Sequence, residues 1–214
     1  MDLSVRDYFL LAPALIFALT FHEYAHAWAA NRLGDPTAKM LGRLSLNPLV
    51  HIDVMGLLML VLSGFRFGWA KPVPFNPLNL RHPKRDIPLI AAAGPASNIV
   101  IATLSVIAIR VFGSFDLGNW QQPMGQLLIF FVYINLSLAF FNLIPVPPLD
   151  GSKILYGFLP RSQEHIYYNL ERMGPILLLA LIMLNALTPI KIISLWVGPM
   201  VELTVKLLSA IFLR

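Results

Sequence analysis

The chain has 214 residues, of which 57% are hydrophobic and only 13% charged, with a mean hydropathy of +0.70. That composition excludes a soluble domain of this length and calls for several membrane spans within one membrane-embedded domain. The formal net charge of +5 comes without a dense Lys/Arg run, which excludes a nucleic-acid interface, and the absence of cysteine excludes disulfides and thiolate ligands.

The N-terminus, with Asp2 and Asp7 around Arg6, lacks the positive region and cleavage site of a signal peptide, so insertion rests on the first span itself. That span runs from Tyr8 to Ala30 and is long enough to cross a bilayer. Pro13 falls near its start, where a proline costs a helix least. Asn31, Gly34, Asp35 and Pro36 then stop the helix. Late in this run stands Phe21-His22-Glu23-Tyr24-Ala25-His26-Ala27. On a helix His22 and His26 lie one turn apart on one face, and Glu23 starts beside them. This is the HExxH spacing, in which two imidazoles hold zinc and the carboxylate acts as general base. A chance match is the alternative. Against it, three ionisable side chains inside an apolar span are costly and functional by default.

Thr37 to Pro48 reads as short extended chain, with Leu44 and Leu46 alternating against Arg43 and Ser45. Ile52 to Gly64 is apolar but only about thirteen residues long, a length typical of re-entrant or interfacial segments. His51 and Asp53 precede it and His82 follows in a basic loop. They offer an alternative metal site, but none forms a helical pair with another ligand-type residue, so they read as loop residues. Phe65-Arg66-Phe67-Gly68-Trp69-Ala70 alternates more clearly, and Pro72, Pro74 and Pro77 end it. It reads either as an interfacial loop with aromatic anchors or as a strand edge that holds an extended substrate.

Ile90 to Phe112 is the next span. It opens on the small residues Ala91-Ala92-Ala93-Gly94-Pro95-Ala96, which let helices approach closely in lipid. Asn98 follows; a buried amide needs partners, either across helices as glue or at the active-site helix. In the span from Gln126 to Leu143, Asn135 and Asn142 lie two helical turns apart on one face. Pro145, Pro147 and Pro148 then break the helix at membrane depth, where irregular backbone is tolerated only against protein or a wet cavity. Asp150 therefore approaches a water-containing site, unless it is simply the turn residue of an Asp-Gly pair. Ser152 to Arg172 holds a polar patch, Arg161 to His165. Gly174 to Thr188 is a short span, Lys191 marks a tight return, and Ile190 to Leu213 either crosses again or lies in the interface.

HExxH followed by Asn142-Leu143-Ile144-Pro145-Val146-Pro147-Pro148-Leu149-Asp150-Gly151, with Gly94-Pro95-Ala96-Ser97-Asn98 between them, resembles the site-2 protease family of intramembrane zinc metalloproteases. The resemblance covers roughly residues 10 to 155. It implies one zinc per chain held by His22, His26 and Asp150, Glu23 as base, and Asn142 as a polar group near the reacting carbonyl. Asn142 and Asn98 are the candidates for contact with substrate. The implied fold is an all-α polytopic membrane protein with about five transmembrane helices and a re-entrant, strand-like segment around 37–75. A catalytic core over about 8–155 and C-terminal helices over about 160–214 form a single domain.

One shared zinc requires the histidines and Asp150 at one depth. An odd number of full crossings must then separate the first span from Gln126, so 52–64 dips in and returns. The basic residues from Arg32 to Arg85 then share a side with Lys153, Arg161 and Arg172, whereas Gly113 to Pro123 has Asp116 and no Lys or Arg. The positive-inside rule places the catalytic end toward the cytoplasm, in a prokaryotic cell membrane. The expected activity is endoproteolysis of a membrane-protein substrate in the lipid bilayer. The alternative is a membrane metal-binding or metal-transport protein using the same ligands, which would show further polar sites across the membrane.

Overall fold

The computed structural model describes residues 5–64, 68–187, 189 and 191–213, with side chains from residue 9 onward. Its first helix, α1 (Val5–Arg32), carries a buried stripe at every fourth position: Ala14, Ala18, His22, His26 and Ala30. Three of the five are alanine, so neighbouring backbones can come close, and the two histidines lie in the same seam.

Against that seam packs α4 (Pro83–Phe112), the central helix, which also meets α5 (Gln121–Asn142), the short α6 (Asp150–Phe158) and α8 (Ile192–Phe212). Its buried positions Ala91, Gly94, Pro95, Asn98, Ala102, Ser105 and Val106 recur at three- and four-residue spacing, as one face of a helix requires. The apolar core joins Ala102 and Val106 of α4, Val132 and Leu136 of α5, and Val201 of α8. α7 (Glu164–Leu187) packs on α6 and α8. Among the described residues five stretches are long and apolar enough to cross a membrane: Phe9–Arg32, Pro83–Phe112, Gly118–Asn142, Arg161–Leu187 and Ile192–Phe212. The last helix is thus one of them, and it is packed on the bundle.

The segment around 37–75 dips and returns. α3 (Val54–Leu62) has nine residues, about 14 Å of helix, too short to cross. Asp53 caps it by accepting the Gly56 N–H at 2.8 Å. The chain comes back where it entered: Ile52 and Ala70 form an antiparallel bridge, and the Lys71 N–H donates to the His51 carbonyl at 2.9 Å. Phe65, Arg66 and Phe67 of the expected strand lie outside the described residues.

Two expectations need correction, and one alternative falls. Thr37 to Met40 is a helical turn, α2, and not extended chain, because the Asp35 carboxylate accepts the Thr37 N–H at 3.1 Å and its hydroxyl at 2.5 Å. Asp150-Gly151 opens a helix, with the Asp150 carboxylate in the first turn, where the helix end is positive. The polar patch Arg161 to His165 starts a helix as well, so that span begins well before Gly174.

Candidate active site

His22 and His26 stand on α1, and Asp150 is delivered to them by the break between α5 and α6. In that break Gly151 lies so close to the chain before it that a Cβ would sit 2.3 Å from the Leu143 carbonyl oxygen. The three side chains are 4%, 9% and 6% exposed, so their polar atoms must be satisfied locally.

The outer ring nitrogens are already committed. The His22 Nδ1–H donates to Asn98 Oδ1 at 2.6 Å, and the His26 Nδ1–H donates to the Ile90 carbonyl oxygen at 2.8 Å. Both acceptors belong to α4. Asn98 cannot present its amine to His22, because its Nδ2 donates to the Ala18 carbonyl at 3.1 Å and to Asn135 Oδ1 at 2.8 Å. Each neutral imidazole therefore carries its proton on Nδ1 and directs the Nε2 lone pair inward.

Inward, the two Nε2 atoms are 3.0 Å apart, and Asp150 Oδ2 lies 3.1 Å from one and 3.2 Å from the other. Three acceptors this close repel one another unless a cation lies among them. Tetrahedral zinc, with bonds of about 2.0–2.1 Å, spaces its donors about 3.3 Å apart, close to what the residues present here. Two imidazoles and one carboxylate also form the three-ligand set that leaves a fourth position open in catalytic zinc sites. Gly94 permits this assembly: a Cβ there would sit 2.5 Å from His26 Nε2 and 2.7 Å from His22 Cε1.

Glu23, the next residue on α1, is 9% exposed, and its Oε2 accepts the Val73 N–H at 3.1 Å. The segment carrying Val73 is pinned on both sides. The buried Arg43 guanidinium donates to the carbonyls of Val50, Lys71 and Pro72. Burial pulls Arg43 below its usual range, and the Glu23 carboxylate partly offsets this. Beyond Val73, Asp35 Oδ2 accepts the Asn76 N–H at 2.6 Å and Oδ1 accepts from Asn79 Nδ2 at 2.8 Å. Burial opposes the Asp35 charge, but these bonds and those from Thr37 outweigh it and hold the carboxyl below the usual carboxylate range.

The structure thus brings His22, His26, Asp150 and Asn98 together. Asn142, in the last turn of α5, instead donates its Nδ2 to the Leu138 carbonyl at 3.0 Å. His51, Asp53 and His82 stay apart from the site: His51 Nε2–H donates to the Ser45 carbonyl at 2.8 Å, Asp53 caps α3, and His82 precedes α4. Sequence reasoning missed the roles of Asn135, Arg43 and Asp35. Asn135 was visible as a polar position in a span. Arg43 and Asp35 bind mainly backbone atoms, and such contacts leave no pattern in sequence.

Residues 111–184, which include Asn142 and Asp150, match the model of Peptidase family M50. Over almost its whole length the chain is similar to "Putative zinc metalloprotease YwhC" of Bacillus subtilis, with 35% identity across 98% of this chain and 94% of that protein. Two further relatives carry the same designation. Rip2 of Mycolicibacterium smegmatis is 28% identical over 86% of this chain and 70% of its own. MJ0611 of Methanocaldococcus jannaschii is 41% identical over 31% of each. No solved structure matches the chain at a significant level. A near full-length relative, the family match around Asp150 and the three converging donors agree, and the chain belongs to Peptidase family M50, the site-2 protease family.

Proposed function

We propose that the protein is an intramembrane zinc endopeptidase that hydrolyses a peptide bond in or near a transmembrane segment of a membrane-protein substrate. The observation that carries this reading is the convergence of His22 Nε2, His26 Nε2 and Asp150 Oδ2 within apolar helices, with both Nδ1 protons engaged elsewhere. Bound there, zinc supplies Lewis acidity toward a carbonyl and lowers the pKa of a water. Glu23 is the general base: it takes a proton from the attacking water and returns it to the leaving amine. Asn98 positions His22 and, with its amide committed to three partners, keeps nothing for a substrate. Asn142, at the rim of the helix break, is assigned to the substrate backbone. A helical substrate hides its amides, so it must unwind before attack, and the irregular stretch 143–149 is where such a segment can be received. A metal transporter would call for further ligand clusters along a path, and among the described residues His22, His26 and Asp150 form the one such group.

Glu23→Gln tests the reading. The amide keeps the side chain's size but accepts no proton, so turnover of a membrane-inserted peptide by the purified protein falls by at least about 100-fold while zinc stays bound. Near wild-type turnover would reject Glu23 as the base.

We also place the protein in a prokaryotic cell membrane with its catalytic end toward the cytoplasm, from the basic residues on that side and the Lys/Arg-free loop around Asp116. In a chain without native cysteine, Lys39→Cys and Arg85→Cys then label from the cytoplasm and Asp116→Cys from the other face. Labelling of Lys39→Cys and Arg85→Cys from opposite faces would defeat this topology.

A further inference from the structure

The last helix places charge where a membrane span does not tolerate it alone. Glu202 stands midway along α8 (Ile192–Phe212), and Lys206 follows one turn later. α8 packs on the bundle through Val197, Val201, Val205, Leu208 and Phe212. Glu202 lies about 100° and Lys206 about 140° round the helix from the centre of that face, and both are exposed. Among the described residues neither has a hydrogen-bond or ion-pair partner. Charged groups at such depth ordinarily face a bundle interior or a polar cavity and are paired. On the same stripe, one turn before Glu202, is Gly198, where an added Cβ would meet nothing within 4 Å. A backbone is open there to close approach by another helix.

We propose that α8 is a homodimer contact, in which two copies meet about a two-fold axis along the membrane normal and Glu202 of each chain pairs with Lys206 of the other. The occupant follows from the charges. A two-fold axis sets equal residues at equal depth, so a patch with one anion and one cation is its own complement and forms two identical pairs. The offset between residues four apart is about 6 Å, and side chains lean toward the helix N-terminus, so Lys206 reaches back toward the depth of Glu202. Each chain keeps its own complete His22, His26 and Asp150 set, so the contact adds no ligand to either centre.

The test uses the full chain, which has no native cysteine, carrying Leu195→Cys on the exposed face of α8. Two differently tagged copies are made in one membrane and oxidised. Wild-type α8 gives a cross-linked product with both tags. E202K leaves two cations on the helix and K206E two anions, and cross-linking within either variant falls about tenfold. Co-expression of E202K with K206E restores the mixed product, because each helix then meets its opposite. A pair formed within one helix cannot be restored that way. If the charge-reversed chains fail to accumulate, Glu202→Gln adds no like charge and still lowers cross-linking by about threefold. No cross-linking in wild type, unchanged cross-linking in every variant, or a mixed product no more abundant than in the single variants would overturn the proposal.

Discussion

The first three spans and the last two are built differently. In the apolar stretches of α1, α4 and α5, 28%, 44% and 22% of residues are buried, against 6% in each of the last two spans. The first group is tied by polar side chains that cross between helices: His22 to Asn98, Asn98 to Asn135, and Asn98 to the Ala18 backbone. α7 turns apolar side chains such as Ile176, Leu179 and Leu187 outward. Lipid is as apolar as leucine, so burying leucine gives little drive for helices to associate there. Small residues and interhelical hydrogen bonds do that work, and they are concentrated where His22, His26 and Asp150 converge. The difference teaches that the spans bringing the candidate metal ligands together are the tightly knit ones, while α7 and α8 join them with little burial.

That contrast can be broken at graded cost. The largest effect is at the ligands: His22→Ala, His26→Ala or Asp150→Ala each loses zinc and turnover together, by more than the roughly 100-fold that loss of an outer partner causes. Full zinc occupancy in Asp150→Ala, by elemental analysis, would reopen the choice of third ligand. Next comes Asn98→Ala, which frees the His22 ring and leaves Asn135 without its donor; zinc affinity measured by chelator competition weakens about 10- to 100-fold. An unchanged affinity would mean the Asn98 contact does not orient the ligand. Smaller still is packing. Leu136→Ala, at a position with 0% exposure, costs about 2 kcal/mol or more of unfolding free energy, whereas Leu179→Ala, 53% exposed on α7, stays within about 0.5 kcal/mol. Equal losses in the two variants would erase the distinction between the two halves.

Much of this was legible in the sequence. HExxH fixes its own geometry, since residues four apart on a helix share a face whatever surrounds them. The dip at 52–64 followed from length and from the requirement that His22 and Asp150 share a depth. The Ile52–Ala70 bridge now closes it. What sequence missed depends on tertiary context. The Asp150-Gly151 pair is compatible with a turn, yet Asp150 serves equally well in the first turn of a helix. The polar start of α7 carries no apolar period, so the sequence places the beginning of that span only at Gly174. For Asn98 the sequence leaves interhelical glue and a place at the active-site helix both open; that it accepts from His22 depends on the relative depth of α1 and α4, which no local pattern encodes. The loop anchors Arg43 and Asp35 were invisible for a related reason, since their acceptors and donors are largely main-chain atoms.

The separation of His22 and Asp150 by 128 positions has a consequence for biosynthesis. At about 5–20 residues per second the histidines leave the ribosome on the order of ten seconds before the carboxylate that completes their site. For the first half of that interval α1 offers two imidazoles without the α4 groups that orient them, since Ile90 and Asn98 follow 64 and 76 positions behind their histidines. A metal held by three ligands from distant parts of the chain stabilises only the state in which α1, α4 and the α5–α6 break have come together, by about 4 kcal/mol at a free metal concentration a thousandfold above Kd. At the proposed site, metal binding would therefore be a late seal on membrane assembly, one that a chain stalled before α6 would not reach.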